Sequence, residues 1–359
     1  MLTEKPRLPI RDILLYGLLP SLLKIWIYRL KGYRIGKHVT IGFGSVVCGR
    51  EVQIGDHCRI GFFTAIRGRR IRIGAHVQIG ATTIIDTPIL EIGDGTKINE
   101  QVFVGGLQFP DSTLIIGRNC QIMQMTFINP AKSIRIGDDT GIGGHCLLFG
   151  HTSWLSKFEG YPVDFQSIEI GNSVSVAWRV FILPGSRIGD GAVIGANSLV
   201  NRTVPPRCLA VGFPARVVSK APDFPIELTD SDKQRFLKEM VAEMIAYLEG
   251  FEFECREREK DSSYEIVQVL RRWGRRRERA WRLKVIYAPL ATEASADILP
   301  DLNVFLSLHR IPQEVRRAYD RQQTLWIDIA AKERSECSND MGEEVVQYLK
   351  RYGVRLFRT

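Results

Sequence analysis

The amino-acid sequence predicts a mainly β chain: a parallel β-helix of about eight coils, opened by an N-terminal helical segment and followed by a C-terminal α+β domain. Three observations carry this prediction. From Ile35 to Val204 an aliphatic residue, usually followed by glycine, returns about every six positions, apart from two longer interruptions. After Lys220 that period vanishes, and helix-like and strand-like segments alternate. Before it, residues 10–31 read as an apolar helical stretch flanked by basic residues. The domain boundaries expected are therefore 1–34, 35–220 and 221–359.

The period comes first. Aliphatic residues fall at 35, 41, 47, then 54, 60, 66, then 73, 79, 85, and the pattern repeats at 92, 98, 104; 116, 122, 128; 136, 142, 148; 170, 176, 182; and 188, 194, 200. Each set is three six-residue units, one turn of a triangular coil, and fixed-period self-similarity of this kind marks a solenoid. The aliphatic residue points inward and stacks on its equivalent one coil away. The fifth position of each unit is also interior but cramped at a corner, and it holds Val39, Ser45, Cys58, Thr64, Val77, Thr83, Thr96, Cys120, Thr140 and Cys146. Strand ladders space coils by about 4.8 Å, so eight coils give a prism roughly 40 Å tall.

A ladder of histidines, His38, His57 and His76, shares one position of the unit, as do Gly95, Asn119, Asp139, Ser173 and Gly191 in later coils. Most of these residues tolerate positive φ, so a tight corner is the expectation there. The outer two histidines would stand about 9.6 Å apart, whereas zinc ligands sit about 2.0–2.1 Å from one metal. No metal site is expected.

The two ends follow. The apolar run Ile13–Leu23 contains Gly17 and Pro20 and is too short for a span of about 20 residues. Arg7, Arg11, Lys24, Arg29, Lys31 and Arg34 surround it, which leaves two readings open: a cap on the first coil, or a cap that also touches an anionic membrane surface. No small-residue cleavage site follows, so a secretory signal is not expected. In residues 221–359, TDSDKQRFLKEMVAEMIAYLEG reads as a helix with Thr229 as N-cap and Gly250 as stop. Phe236, Leu237, Met240, Val241, Met244, Ile245 and Leu248 make its apolar face. Strands are expected at FEFEC, YEIVQVL, AWRLKVIYA, NVFLSL and TLWIDIA, with helices near 312–323 and 341–352. RRWGRRRERAWR, residues 271–282, reads as a charged hairpin tip between two strands.

The charge is uneven. Residues 1–220 hold 25 Lys/Arg against 15 Asp/Glu, and the remainder is close to neutral. The basic part can attract an anionic ligand or membrane surface. No nucleic-acid recognition motif accompanies it, so nucleic acid is not an expected partner. Seven cysteines without a Cys-x-x-Cys spacing signal neither a disulfide framework nor a zinc knuckle, which points to a reducing compartment.

With these repeats, and above all with ILPGSRIGDGAVIGANSLVNRTVPPRCLAVGFPARVV at residues 182–218, the chain resembles the hexapeptide-repeat acyltransferases. The branch it is most similar to holds the maltose, galactoside and colanic-acid O-acetyltransferases. The resemblance implies a left-handed parallel β-helix, a homotrimer and acetyl-CoA lying in the groove between neighbouring subunits. It also implies that Ala177 and Ala196 are small residues against which the pantetheine arm lies, and that Arg202 and Arg216 meet the nucleotide end of coenzyme A. Two departures are visible. Ser175 stands where the family often has Trp, with Trp178 three residues on, and Met123 stands near the family's acceptor-binding Asn.

Two loops interrupt the period: VGGLQFPDSTLI adds about five residues after Val104, and FGHTSWLSKFEGYP opens an insertion of about fifteen after Leu148. The resemblance implies that the larger loop presents a catalytic histidine. Direct acyl transfer to a hydroxyl needs a base near pH 7, which suits imidazole. His151, at the loop's root, is the candidate and His145 the reserve; Trp154 and Tyr161 are candidates to stack on a sugar. The function expected is acetyl-CoA-dependent O-acetylation of a saccharide hydroxyl in envelope or extracellular polysaccharide biosynthesis. The chain is expected in the cytoplasm, with peripheral contact at the inner membrane face left open. Alternatives are an N-acetyltransferase on an amino sugar nucleotide, a γ-class carbonic anhydrase-like protein, and a non-catalytic scaffold.

Overall fold

The computed structural model describes residues 9–152, 155–250, 253–261, 263–273, 277–290, 299 and 301–359. They form two compact units, Met1–Glu227 and Leu228–Thr359. In the first, the chain winds through three walls of stacked parallel strands. The first wall runs from Arg34–Ile35 to Thr203–Val204, the second from Thr40–Ile41 to Ala215–Lys220, and the third from Val46–Cys48 to Leu199–Val200. Eight coils are complete, and Thr203–Val204 with Cys208–Gly212 make two sides of a ninth. There the chain reverses, and Ala215–Lys220 pairs antiparallel with Cys208–Gly212. The fold class is the one the sequence predicts.

The aliphatic positions read from the sequence are all buried, and with their neighbours they form one continuous core. Register explains why: Ile54 stacks on Ile73, and Ile73 on Ile92, with no slip from coil to coil. The corner position has a polar role as well as a packing one. Thr64 Oγ1 donates to Gly80 O at 2.8 Å, Cys120 Sγ to Gly137 O at 3.0 Å, and Cys146 Sγ to Ala177 O at 3.1 Å. In turn Thr64 N donates to Ser45 Oγ, and Cys120 N to Thr96 Oγ1. Small side chains with a hydroxyl or thiol thus pair backbone groups at corners that strand ladders do not reach. Those cysteines are more than fillers, and burial pushes the Cys58 and Cys146 thiols up to about 11.

The histidine column is a column of turns. His38, His57 and His76 have φ of 53°, 57° and 57°, and Asn119, Asp139 and Ser173 follow at 57°, 56° and 53°. The rings stack face to face, with centroids 4.8 and 4.9 Å apart, so their nitrogens do not converge on one point.

The N-terminal segment closes the open edge of the first coil. Helix Ser21–Leu30 lays Ser21, Lys24, Ile25 and Tyr28 against it. Ser21 Oγ accepts from Ile41 N (2.9 Å), Tyr28 OH accepts from Val47 N (3.0 Å), and Lys24 Nζ donates to Gly42 O (2.6 Å) and Ser45 O (3.1 Å). Gly44 N donates to Gly17 O at 2.7 Å. The strand edge that would otherwise invite another chain is paired by this segment.

The second unit is an α+β domain. Its seven strands run in chain order from Phe253–Lys260 to Phe357–Arg358, mixing antiparallel and parallel pairs. Among the described residues every strand and helix expected from the sequence is present, with Phe251 and Glu252 of the expected FEFEC strand outside them, together with the short strands Glu333–Arg334 and Phe357–Arg358. Helix Asp230–Glu249 starts at Thr229, whose side chain and that of Asp232 form a capping box. Leu237, Val241, Met244, Ile245 and Leu248 are buried, whereas Phe236 is exposed. Phe236 lies about 100° around the helix from Leu237, at the margin of that stripe, and rests under the Arg235 guanidinium. Tyr264–Trp273 and Arg277–Ile286 flank the arginine-rich tip as an antiparallel pair.

Candidate active site

His151 stands where the third wall ends. Strand Leu147–Phe149 carries the chain to the corner, and Gly150 N donates to Asn129 O one coil below, at 2.9 Å. His151–Thr152 then pairs antiparallel with Asp164–Phe165, so a hairpin closes the insertion at its root. Within the loop, Ser156 Oγ accepts from Phe158 N and caps the short helix Lys157–Glu159, which Gly160 ends at φ 85°.

The His151 ring is half-buried. Its Nε2 lies 2.8 Å from Asn129 Nδ2. Phe165 stacks on it at 5.9 Å and Phe149 tilts toward it at 6.1 Å. Burial lowers its pKa below 6.5, because an imidazolium loses hydration there. The ring is therefore neutral at pH 7 and holds a lone pair. The Asn129 side chain is itself buried, and its Oδ1 has no hydrogen-bond partner. Gly106, at φ 128° in the smaller loop, leaves room for it, since a Cβ there would overlap the Asn129 amide. The two loops that break the period thus meet at one pair of side chains.

An aromatic column runs beside the pair. Phe103 and Phe127 stack at 5.1 Å, Phe127 and Phe149 lie at 5.2 Å, and Phe149 and Phe181 at 5.5 Å. Each neighbours an inward aliphatic residue and so faces outward. Phe109, from the smaller loop, meets Phe165 edge-on at 5.2 Å.

The other sequence-predicted residues occupy different edges of the prism. Ala177, Trp178 and Ala196 sit on the corner between the second and third walls, as does His145. His145 has φ 56° and lies 6.0 Å from the Trp178 ring, which packs over Gly144. It is an exposed turn residue. Arg202 lies on the His151 corner two coils up, and Arg216 lies in the closing hairpin opposite Val211. Both arginines are exposed, and neither has an acidic partner among the described residues. Tyr161 is exposed in the loop; Trp154 lies outside the described residues. One chain therefore joins His151 to the Arg202 corner and not to Ala177, Trp178 and Ala196.

Sequence reasoning stopped at Met123 and missed Asn129, along with Phe149 and Phe165. A signal was available. Asn129 directly follows the inward residue of the third wall, a position that also holds Arg67 and Asp86, which pair through Nε–Oδ1 at 2.9 Å. That position carries side-chain chemistry where the first wall has only glycine.

Among known proteins, the chain is 32% identical over 142 residues to galactoside O-acetyltransferase of Escherichia coli, covering 37% of this chain and 63% of that one. It is 29% identical over 123 residues to a putative lipopolysaccharide-biosynthesis O-acetyltransferase of the same organism, covering 31% and 63%. The match thus spans less than two thirds of either relative. A UDP-N-acetylglucosamine acyltransferase from Bacteroides fragilis superposes with a TM-score of 0.44 at 17% identity, over 61% of this chain and 87% of that one, too weakly to carry an argument. No protein-family model matches the sequence. Repeats, closing segment and sequence relatives agree, and the first unit of this chain is similar to the hexapeptide-repeat acyltransferases of the sugar O-acetyltransferase branch.

Proposed function

We propose that the chain is an acetyl-CoA-dependent O-acetyltransferase acting on a saccharide hydroxyl by direct transfer, in envelope or extracellular polysaccharide biosynthesis. The observation that carries the reading is a neutral, half-buried imidazole held by a buried amide at the one corner where both loops converge. Acetyl-CoA supplies the thioester carbonyl that the acceptor oxygen attacks. His151 takes the hydroxyl proton at Nε2, the nitrogen whose lone pair faces the Asn129 N–H, with the acceptor hydroxyl taking that donor's place, and later returns it to the departing thiolate. Before the acceptor arrives Asn129 fixes the ring, and its unpartnered Oδ1 then accepts from a second hydroxyl of the sugar. The Phe149–Phe165 surface gives the apolar face of the sugar ring a platform.

The residues fit an anionic donor. Arg202 and Arg216 present guanidinium groups without acid partners near the last coils, and Ala177 and Ala196 leave their corner low. Because these corners are separate edges of one prism, His151 and the Ala177–Ala196 column meet only between copies, which supports a homotrimer. Light scattering should give the mass of a trimer; an active monomer would overturn this site. The chain works in the cytoplasm.

The test of the chemistry is mass spectrometry of candidate glycans incubated with acetyl-CoA. An added acetyl group that mild alkali removes is expected, since esters hydrolyse and amides persist. An alkali-stable acetyl group would replace this reading with N-acetylation. Absence of transfer and of thiol release with every glycan would remove it.

A further inference from the structure

We infer that the N-terminal end of the first unit docks on an anionic lipid bilayer, its outward leucine–tryptophan stripe entering the interface while an arginine-lined recess beside it takes a lipid phosphate. The inference does not rest on the transferase reading. It starts from the helix Ser21–Leu30, whose two faces are reversed. The inward face carries the polar Ser21, Lys24 and Tyr28 that bond the coil edge. The outward face carries Leu22, Trp26 and Leu30, at i, i+4 and i+8, with exposures of 83%, 60% and 68%. Leu14 of the preceding Ile10–Gly17 stretch and Leu18 just after it add to it at 68% and 52%. A cap needing only water outside would place polar residues there. A contiguous apolar surface instead marks a partner.

The surroundings say which partner. Residues 9–34 carry Arg11, Arg29, Lys31 and Arg34 outside the buried Lys24, against the single acid Asp12. Directly after the helix, Gly32, Arg34, Arg50, Glu51, Arg70 and Arg72 line a recess of about 290 Å³. Arg70 and Arg72 share Glu91, at 3.4 and 3.9 Å, while Arg34 and Arg50 have no acid partner among the described residues. Arg70 Nε is buried in the recess wall without a hydrogen-bond acceptor. A phosphate would supply that acceptor and balance the cluster. Apolar residues flanked by cations fit an anionic lipid surface better than a protein groove. The contact is peripheral: no single described helix is long and apolar enough to cross a membrane, and the pair Ile10–Gly17 and Ser21–Leu30 is bent by 117° at the break between them.

The test is flotation of the full-length protein with vesicles containing phosphatidylglycerol, against vesicles of phosphatidylcholine alone. Binding to the first and not the second is expected, weakening near 1 M salt, where the Debye length is about 3 Å. The pair Leu22→Ser with Trp26→Ser, which leaves Lys24, Ile25 and Tyr28 in place, should abolish it. The pair Arg34→Gln with Arg50→Gln should weaken it about thirtyfold, the worth of two basic residues near an anionic surface. Absence of binding to both vesicles overturns the proposal, as does binding that neither pair alters. If the arginine pair loses inorganic phosphate but keeps vesicle binding, the recess is a phosphate site and the headgroup assignment fails. If the leucine–tryptophan pair changes the oligomeric state and not flotation, the stripe is an interface between copies and the proposal falls. None of these readouts depends on acetyl transfer.

Discussion

His151→Ala should lower the rate of acetyl transfer by roughly 10²–10⁴, the usual worth of a positioned general base. At 1.36 kcal/mol per tenfold, this is about 2.7–5.4 kcal/mol of barrier. Affinity for coenzyme A should hold, because the base meets the acceptor hydroxyl and not the nucleotide. The fold should survive too, since the ring leaves from the root of a loop and not from the stacked core. The pH profile gives a second check. Burial places the His151 pKa below 6.5, so protonation should not remove the base until the pH drops below that value. The rate should stay flat through pH 7 and fall as pH descends through the lowered pKa; an acid limb above 6.5 would contradict the assignment. His145→Ala is the control, expected to cost stability at its positive-φ corner and leave the rate unchanged. Full activity in the His151 variant, with activity lost in a folded His145 variant, would move the base to the second corner and leave the loop a binding role only.

Lys24→Met should be the most damaging single change outside the core stack. The Lys24 side chain is fully buried, and its ammonium donates to the carbonyls of Gly42 and Ser45 on the free edge of the first coil. Methionine matches its length and supplies no donor. Gly42 O keeps its bond from Ser45 N at 3.2 Å, whereas the buried Ser45 O loses the Lys24 donor, at a cost of about 1–3 kcal/mol. Burying an ammonium is itself unfavourable, and that burial lowers the Lys24 pKa; losing the charge returns part of the cost. A net loss of about 1–3 kcal/mol is expected, a sizeable share of the roughly 5–15 kcal/mol that holds a domain. Chemical denaturation of the two proteins measures it. A methionine variant as stable as the parent would mean that desolvation of the lysine cancels its hydrogen bonds, and the cap would then hold by packing alone.

The coil architecture was legible because one rule recurs. A residue buried every sixth position, with Ser, Thr or Cys four places after it at a cramped corner, is visible without knowing any distance. The register follows from it: Ile54, Ile73 and Ile92 stack because each repeat buries the same position. The histidine column at His38, His57 and His76 was legible for the same reason, since a corner that takes Gly, Asn and Asp elsewhere demands positive φ. In the second unit, the Thr229 cap and the stripe Leu237–Leu248 could be read from local spacing, while Phe236 could not be placed, lying at the boundary of a stripe whose width packing decides.

The sequence by itself determined the period, the two interruptions and the histidine that opens the longer one, because all three are properties of spacing along the chain. Only the tertiary structure decided what surrounds that histidine. Asn129 lies 22 positions before His151, Gly106 lies in another loop, and Phe165 lies across a hairpin; they meet because successive coils stack about 4.8 Å apart and bring distant positions to one corner. The same cause separated Ala177, Trp178 and Ala196 from His151, because the triangular coil sends them to another edge. It also decided the use of the N-terminal segment. Its composition allowed either face of the helix to turn inward, and the unpaired carbonyls and amides of the first coil drew in Lys24, Tyr28 and Ser21, leaving the leucines and Trp26 outside.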